Sequence, residues 1–223
     1  MNEQSSWGEA SRHDLRESIE LYITGQVRLA KYDSEGILEG CREIYIDDEC
    51  PEDEREEFVE FASDFMTRVV DEYITEQANW PLETDCDRLD RVEATLREQG
   101  ILLWQVSPCC DTCSDAELPD RIDLLESRYP GFRDNCRGYS FFIDQSLPEM
   151  LAESTEVSLY LAFGWFSPDG SDIAPEVYKE NALSIAREVI DALRNEGFEV
   201  DWNGDFSRKF CLTMNWQRRS LLE

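Results

Sequence analysis

The sequence predicts an α+β protein: an all-helical N-terminal region, then a mixed, mainly antiparallel sheet of about five strands packed by helices. Three observations carry this. Apolar residues recur at three- and four-residue intervals through the first 80 positions. After Trp80-Pro81 short apolar runs and alternating runs appear instead. Helical stretches separate those runs, and the chain closes on a hairpin pattern. The expected regions are 1–80, acidic and helical, and 81–223, α+β, either separate or continuous as one domain.

Leu15, Ile19, Tyr22, Ile23, Val27 and Ala30 form one stripe of an amphipathic helix, which Gly36 ends. A shorter segment carries Ile37, Leu38, Cys41, Ile44 and Tyr45. Pro51 and an acid run then open the clearest helix, with Phe58, Phe61, Ala62, Phe65, Met66, Val69, Val70, Tyr73 and Ile74 on its inner face. Thr84 and Asp87 have capping-box spacing ahead of Leu89, Val92 and Leu96, and Gly100 is the stop. Ile101 to Val106 suits a buried strand, Tyr139, Phe141 and Ile143 a second, and Val157 to Trp165 a long central one. Pro175 starts a helix with Tyr178, Ala182, Ile185, Ala186, Val189 and Leu193 inward and Gly197 as its stop. The helices from 85 and 175 are expected on one sheet face. Phe198, Val200 and Trp202, a turn at Asn203-Gly204, and Phe210, Leu212, Met214 and Trp216 complete a hairpin, with Trp202, Phe210, Leu212, Met214 and Trp216 expected in the core.

With 41% hydrophobic and 11% aromatic residues in 223, the chain can bury a core, which excludes disorder. Fifty acids against 21 bases give a formal net charge of −29, so nucleic acid and anionic membrane surfaces are excluded as partners. No apolar run approaches the roughly 20 residues that span a bilayer. Met1 to Ser6 lacks the charged and apolar regions of a signal peptide, and a cytoplasmic location is expected.

The acidity peaks between Asp47 and Glu60, where nine acids face Arg55 alone. Acids at a helix start complement its dipole; the same charges, Asp47, Asp48, Glu52, Glu56 and Glu60 among them, would also serve as a docking face for a protein with a basic surface. Arg208, Lys209, Arg218 and Arg219 bracket the last strand as the one basic island, able to pair with the acidic helices or to bind an anion.

Eight cysteines without a secretory signal argue against disulfides as the default. Cys109-Cys110-Asp111-Thr112-Cys113 contains a C-x-x-C pair, which suits one metal ion or a redox couple. A zinc site would draw its remaining ligands from Cys86, Cys109 or Cys136, because a second C-x-x-C is absent and the single histidine, His13, is remote in sequence. Otherwise these thiols pack as small hydrophobes, and no cofactor is expected. One histidine and no G-x-S-x-G leave Ser-His-Asp or Cys-His catalysis unsupported. No glycine-rich phosphate loop is present.

Gln77-Ala78-Asn79-Trp80-Pro81, Thr84 to Asp90 (T-D-C-D-R-L-D), Cys109 to Cys113 (C-C-x-T-C), Gly138-Tyr139 with Phe141, and Trp202 to Asp205 followed by Trp216-Gln217-Arg218-Arg219 (W-x-R-R) come in an order that resembles a bacterial domain family of unknown function. The resemblance spans residues 55–219. It implies a tyrosine, a histidine and a Q-D-T-E run after G-Y-x-F, where this chain reads Phe142 to Glu149 without histidine, so no histidine site is carried over. It implies a fold relative and no activity. The functional expectation is a non-catalytic, acidic protein-binding module of adaptor or immunity-like character; the alternative is a zinc or thiol redox site around Cys-Cys-x-x-Cys.

Overall fold

Four-residue spacing of Leu15, Ile19, Ile23 and Val27 lines one side of a 21-residue helix, α1 (Glu9–Leu29), and buries all four side chains. The computed structural model describes residues 7–108, 110–168 and 173–219. Two compact units divide the chain: residues 1–82, 147–155 and 216–223 form one, residues 83–146 and 156–215 the other.

In the first unit α1 is followed by α2 (Ser34–Cys41), a π-helical turn (Arg42–Ile46), α3 (Asp47–Glu49) and α4 (Arg55–Gln77). Asp33 caps α2 by accepting the Gly36 N–H at 2.8 Å. Phe58, Ala62, Met66, Val69 and Tyr73 of α4 close the core against α1 and α2. The buried stripe of α4 is narrower than its sequence suggests: Phe61, Phe65 and Val70 are half-buried, and Ile74 is exposed. A long helix on a small core can hide only the side turned toward it.

Helix α8 (Leu147–Glu153), which the sequence pattern does not announce, packs on α1. Its approach depends on Gly25, where a Cβ would lie 2.1 Å from the Pro148 carbonyl oxygen. Arg28 then donates to the Leu151 and Ala152 carbonyls at 2.7 and 3.2 Å, satisfying the end of α8.

The second unit begins with α5 (Asp85–Glu98), whose capping box forms as the spacing predicts: Thr84 Oγ1 accepts the Asp87 N–H, and the Asp87 carboxylate accepts the Thr84 N–H at 2.8 Å. Then come β1 (Ile101–Ser107), α6 (Asp111–Arg128), α7 (Phe132–Asn135), β2 (Gly138–Ile143), β3 (Glu156–Trp165), α9 (Pro175–Asn195), β4 (Glu199–Asp201) and β5 (Phe210–Asn215). Among the described residues the strands form one sheet in the order β1-β2-β3-β5-β4, with β3 central; β1 and β2 are parallel and the other pairs antiparallel. The fold is therefore α+β, with helices first and a mixed sheet after them.

Helices α5 and α9 pack on the sheet and on each other, as expected. Helix α6 is an addition: with Leu118, Ile122 and Leu125 it meets Leu102, Trp104 and Tyr139. Its apolar residues are sparse and Pro119 sits inside it, so its sequence hides it. Tyr139 crosses β3 at Gly164, where a Cβ would fall 2.4 Å from the tyrosine Cζ.

The hairpin differs from the expected one. Pairing of Asp201 with Cys211 leaves residues 202–209 as a loop, so Asn203-Gly204 is not a two-residue turn between the strands. Side chains organise that loop. Asn203 Oδ1 accepts the Asp205 N–H, Asp205 Oδ1 accepts the Ser207 N–H, and the Trp202 indole donates to the Asp205 and Arg208 carbonyls. Phe210, Leu212 and Met214 are buried, whereas Val200 and Trp202 are only half-buried. Trp216 is fully buried, but it belongs to the first unit.

Candidate functional site

The acidic stretch is built around arginines. Arg55 donates to the Asp47 carbonyl at 2.8 Å and the Cys50 carbonyl at 3.2 Å, and its guanidinium lies 3.4 Å from the Asp47 carboxylate, which Arg42 approaches to 3.3 Å. Arg12 pairs with Glu54 and Glu57, and Arg16 with Glu57, at 2.7–2.8 Å. The hydrogen bond from Arg12 holds the Glu57 carboxyl below the usual carboxylate range. These pairs absorb three of the nine acids. Asp48, Glu49, Glu52, Asp53, Glu56 and Glu60 stay exposed, without an ion pair among the described residues.

A groove of 590 Å³ lies between α2, the π-helical turn and α4. Leu38, Ile46, Val59 and Ala62 line it, together with Glu35, Glu39, Arg42 and Ser63. The turn is widened by one residue, with the Asp47 N–H bonding to the Arg42 carbonyl, and Ile44 is left 53% exposed. Val59 is 41% exposed on the neighbouring helix. Burial pushes Tyr22 up to about 12 and Cys41 up to about 11, and Tyr22 meets Tyr45 edge to face at 5.5 Å. None of the docking residues expected from the sequence lines this groove, although Glu60 follows Val59 directly and Glu56 lies one helical turn before it; Asp47 is taken up by Arg42 and Arg55, and the acids that do line the groove are Glu35 and Glu39, which the sequence did not single out. Val59 lies off the main stripe of α4, and that displacement was the available signal of the groove.

The basic island divides between the units. Lys209 pairs with Asp111 at 2.7 Å in the second unit, and Arg208 is exposed there. In the first, Arg219 donates to the Pro81 carbonyl at 2.7 Å, and Arg218 lies over the Trp216 ring at 5.3 Å.

Of the cysteine candidates, Cys109 lies outside the described residues. Cys110 is the N-cap of α6, its sulfur accepting the Cys113 N–H at 3.4 Å, and the two sulfurs are 3.2 Å apart. Both thiols are half-buried. Cys86 is buried on α5, and Cys136 packs among Leu102, Leu118, Leu125 and Phe132, where burial pushes its thiol up to about 11. Among the described residues no group of three or more His, Cys, Asp or Glu side chains is gathered to hold a metal ion.

Two buried hydroxyls link β1, β2 and α6 near Cys110. Ser107 Oγ donates to the Phe142 carbonyl at 3.0 Å, and Ser114 Oγ lies 2.9 Å from Ser107 Oγ and 3.1 Å from the Pro108 carbonyl. The pairing of β1 shifts between Trp104 and Ser107, and Val106 there has φ 53°, a left-handed conformation that strains a β-branched residue. One turn into α6, Asp115 hydrogen-bonds Tyr139, and burial raises the pKa of both.

No helix of the described residues is long and apolar enough to cross a membrane. No curated protein and no solved structure matches the chain. A family model does match, over residues 12–220, and its description is "Domain of unknown function (DUF6891)". That match covers nearly the whole chain, and the protein belongs to this family, a domain family of unknown function as the resemblance implied.

Proposed function

We propose that the first unit is a non-catalytic binding module, adaptor or immunity-like in character, that takes a basic amphipathic helix of a protein partner into the groove between α2 and α4. The supporting observation is the juxtaposition of a 590 Å³ apolar groove with a rim of exposed acids. Leu38, Ile46, Val59 and Ala62 offer a floor for an apolar helix face, as helix-in-groove recognition requires. Glu35, Glu39, Glu56 and Glu60 offer carboxylates to lysines or arginines on that helix's flanks. The net charge of −29 speeds the approach of such a partner from a distance.

The test uses a synthetic peptide with leucines at helical spacing and flanking lysines, titrated into the full chain at low and high salt. Binding should weaken with salt. The triple variant Glu52→Lys, Glu56→Lys, Glu60→Lys should slow association about tenfold or more, while Asp71→Lys, Glu72→Lys, Glu76→Lys, an equal charge change farther along α4, should slow it much less. Val59→Asp should weaken the complex at any salt concentration. Equal effects of the two triple variants, with Val59→Asp silent, would reduce the interaction to unspecific attraction and overturn the reading.

A further inference from the structure

We propose that Cys110 and Cys113 are a redox-active dithiol that exchanges with disulfides of neutral or cationic character. The site is independent of the groove and lies in the other unit.

The geometry carries the argument. The sulfurs stand 3.2 Å apart, and a disulfide needs about 2.05 Å, a closure within reach of small side-chain rotations. Cys110 sits at the N-terminus of an 18-residue helix, where the Cys113 N–H points at its sulfur and the helix dipole favours a thiolate. Both thiols are half-buried, which leaves them open to a substrate. The buried Ser114 hydroxyl, one residue after Cys113, donates to Ser107 Oγ at the end of β1, so the first turn of α6 that carries the pair is tied to the sheet.

The exchange runs in two steps. The Cys110 thiolate attacks one sulfur of R–S–S–R; the S–S bond breaks, a mixed disulfide forms on Cys110, and one R–S⁻ leaves and takes a proton. Cys113 then gives up its proton and attacks the Cys110 sulfur, releasing the second R–S⁻, which is protonated in turn. Two protein thiols and one substrate disulfide become one protein disulfide and two substrate thiols, so two electrons pass to the substrate. A dithiol reductant reverses the sequence. Substrate charge matters because the protein as a whole carries a formal net charge of −29, although Asp111 on the same helix is already paired with Lys209. An anionic disulfide is repelled where a cationic one is attracted.

The reduced full-length protein would be mixed separately with cystamine, hydroxyethyl disulfide and glutathione disulfide at low salt. Peptide mass spectrometry, after the remaining thiols are alkylated, should locate a Cys110–Cys113 disulfide. The rates should fall in the order cationic, neutral, anionic, about tenfold or more from first to last, and should converge at high salt. Cys113→Ser should trap one cysteamine on Cys110, and Cys109→Ser should still form the Cys110–Cys113 bond. A bond involving Cys109, no bond at all, or equal rates for the three disulfides at low salt would overturn the proposal. Mapping the parent protein decides the matter even if a variant fails to fold.

Discussion

The indole N–H of Trp216 donates to the carbonyl oxygen of Arg28 at 3.1 Å, and the Tyr73 hydroxyl reaches the same oxygen at 3.2 Å. Arg28 stands in the last turn of α1, whose final carbonyls have no partner within the helix. A residue from the far end of the chain thus completes a helix near its beginning. The Trp216 backbone N–H is also used, donating to the Thr155 carbonyl at 2.7 Å. Trp216→Ala should therefore lower stability by about 3–5 kcal/mol, and Trp216→Phe, which keeps most of the packing but loses the donor, by less. Denaturant unfolding of both variants checks this, and a parent-like midpoint for the alanine variant would refute it.

Gly25→Ala should be destabilising although alanine is the better helix former by about 1 kcal/mol. The added methyl would meet the Pro148 carbonyl at 2.1 Å, and a backbone atom cannot swing aside as a side-chain tip can. Helices α1 and α8 must separate, at a cost of roughly 1–3 kcal/mol. A rise in melting temperature would show that α8 does not lie where it is described.

Val106→Gly should stabilise the fold by about 1 kcal/mol, because glycine adopts a positive φ without the penalty that valine carries at 53°. The half-buried valine side chain sets a limit on the gain. Thermal melts of parent and variant decide it, and a clear loss would mean that the packing of Val106 outweighs its strain.

The Arg137–Glu188 ion pair makes a prediction about acid. The hydrogen bond from Arg137 holds the Glu188 carboxyl below its usual range. A carboxylate depressed in the folded state stabilises fully above its unfolded value of about 4.3, and that contribution is lost as pH falls through the folded value. Both groups are partly exposed, so the effect is a few tenths to about 1 kcal/mol. The stability gap between the parent and Glu188→Gln should be constant near neutrality and shrink below about pH 4. A gap independent of pH would show that the pair contributes nothing.

Cys41 and Cys136 should resist alkylation at pH 8 in the native protein and react at once in denaturant. Burial pushes both thiols up to about 11, which leaves almost no thiolate to attack a reagent. Timed labelling followed by peptide mass spectrometry reads each site separately. Native labelling of either thiol as fast as in denaturant would mean that its surroundings open readily.

The sequence by itself determined the α+β class, the helix register of α1, α4, α5 and α9, the Thr84–Asp87 capping box and the central place of β3. Each is local: periodicity, cap and breaker lie within a few residues of one another. The C-x-x-C spacing was legible for the same reason, since residues three apart on a helical turn share one side. Only tertiary structure decided the rest. Helix α6 is stabilised by packing on Leu102 and Tyr139 despite Pro119, α8 by the space at Gly25, and the long loop after β4 by the pairing of Asp201 with Cys211. Trp216 reads as the next residue of a strand, yet it is buried, and its indole shares the Arg28 carbonyl of α1 with Tyr73 of α4. The apolar groove belongs to the same class: Leu38, Ile46 and Val59 come from three elements, and no window of sequence shows that packing sets them side by side. Periodicity tells a side chain which way to face along its own element, and only the burial of whole faces against one another decides what it meets.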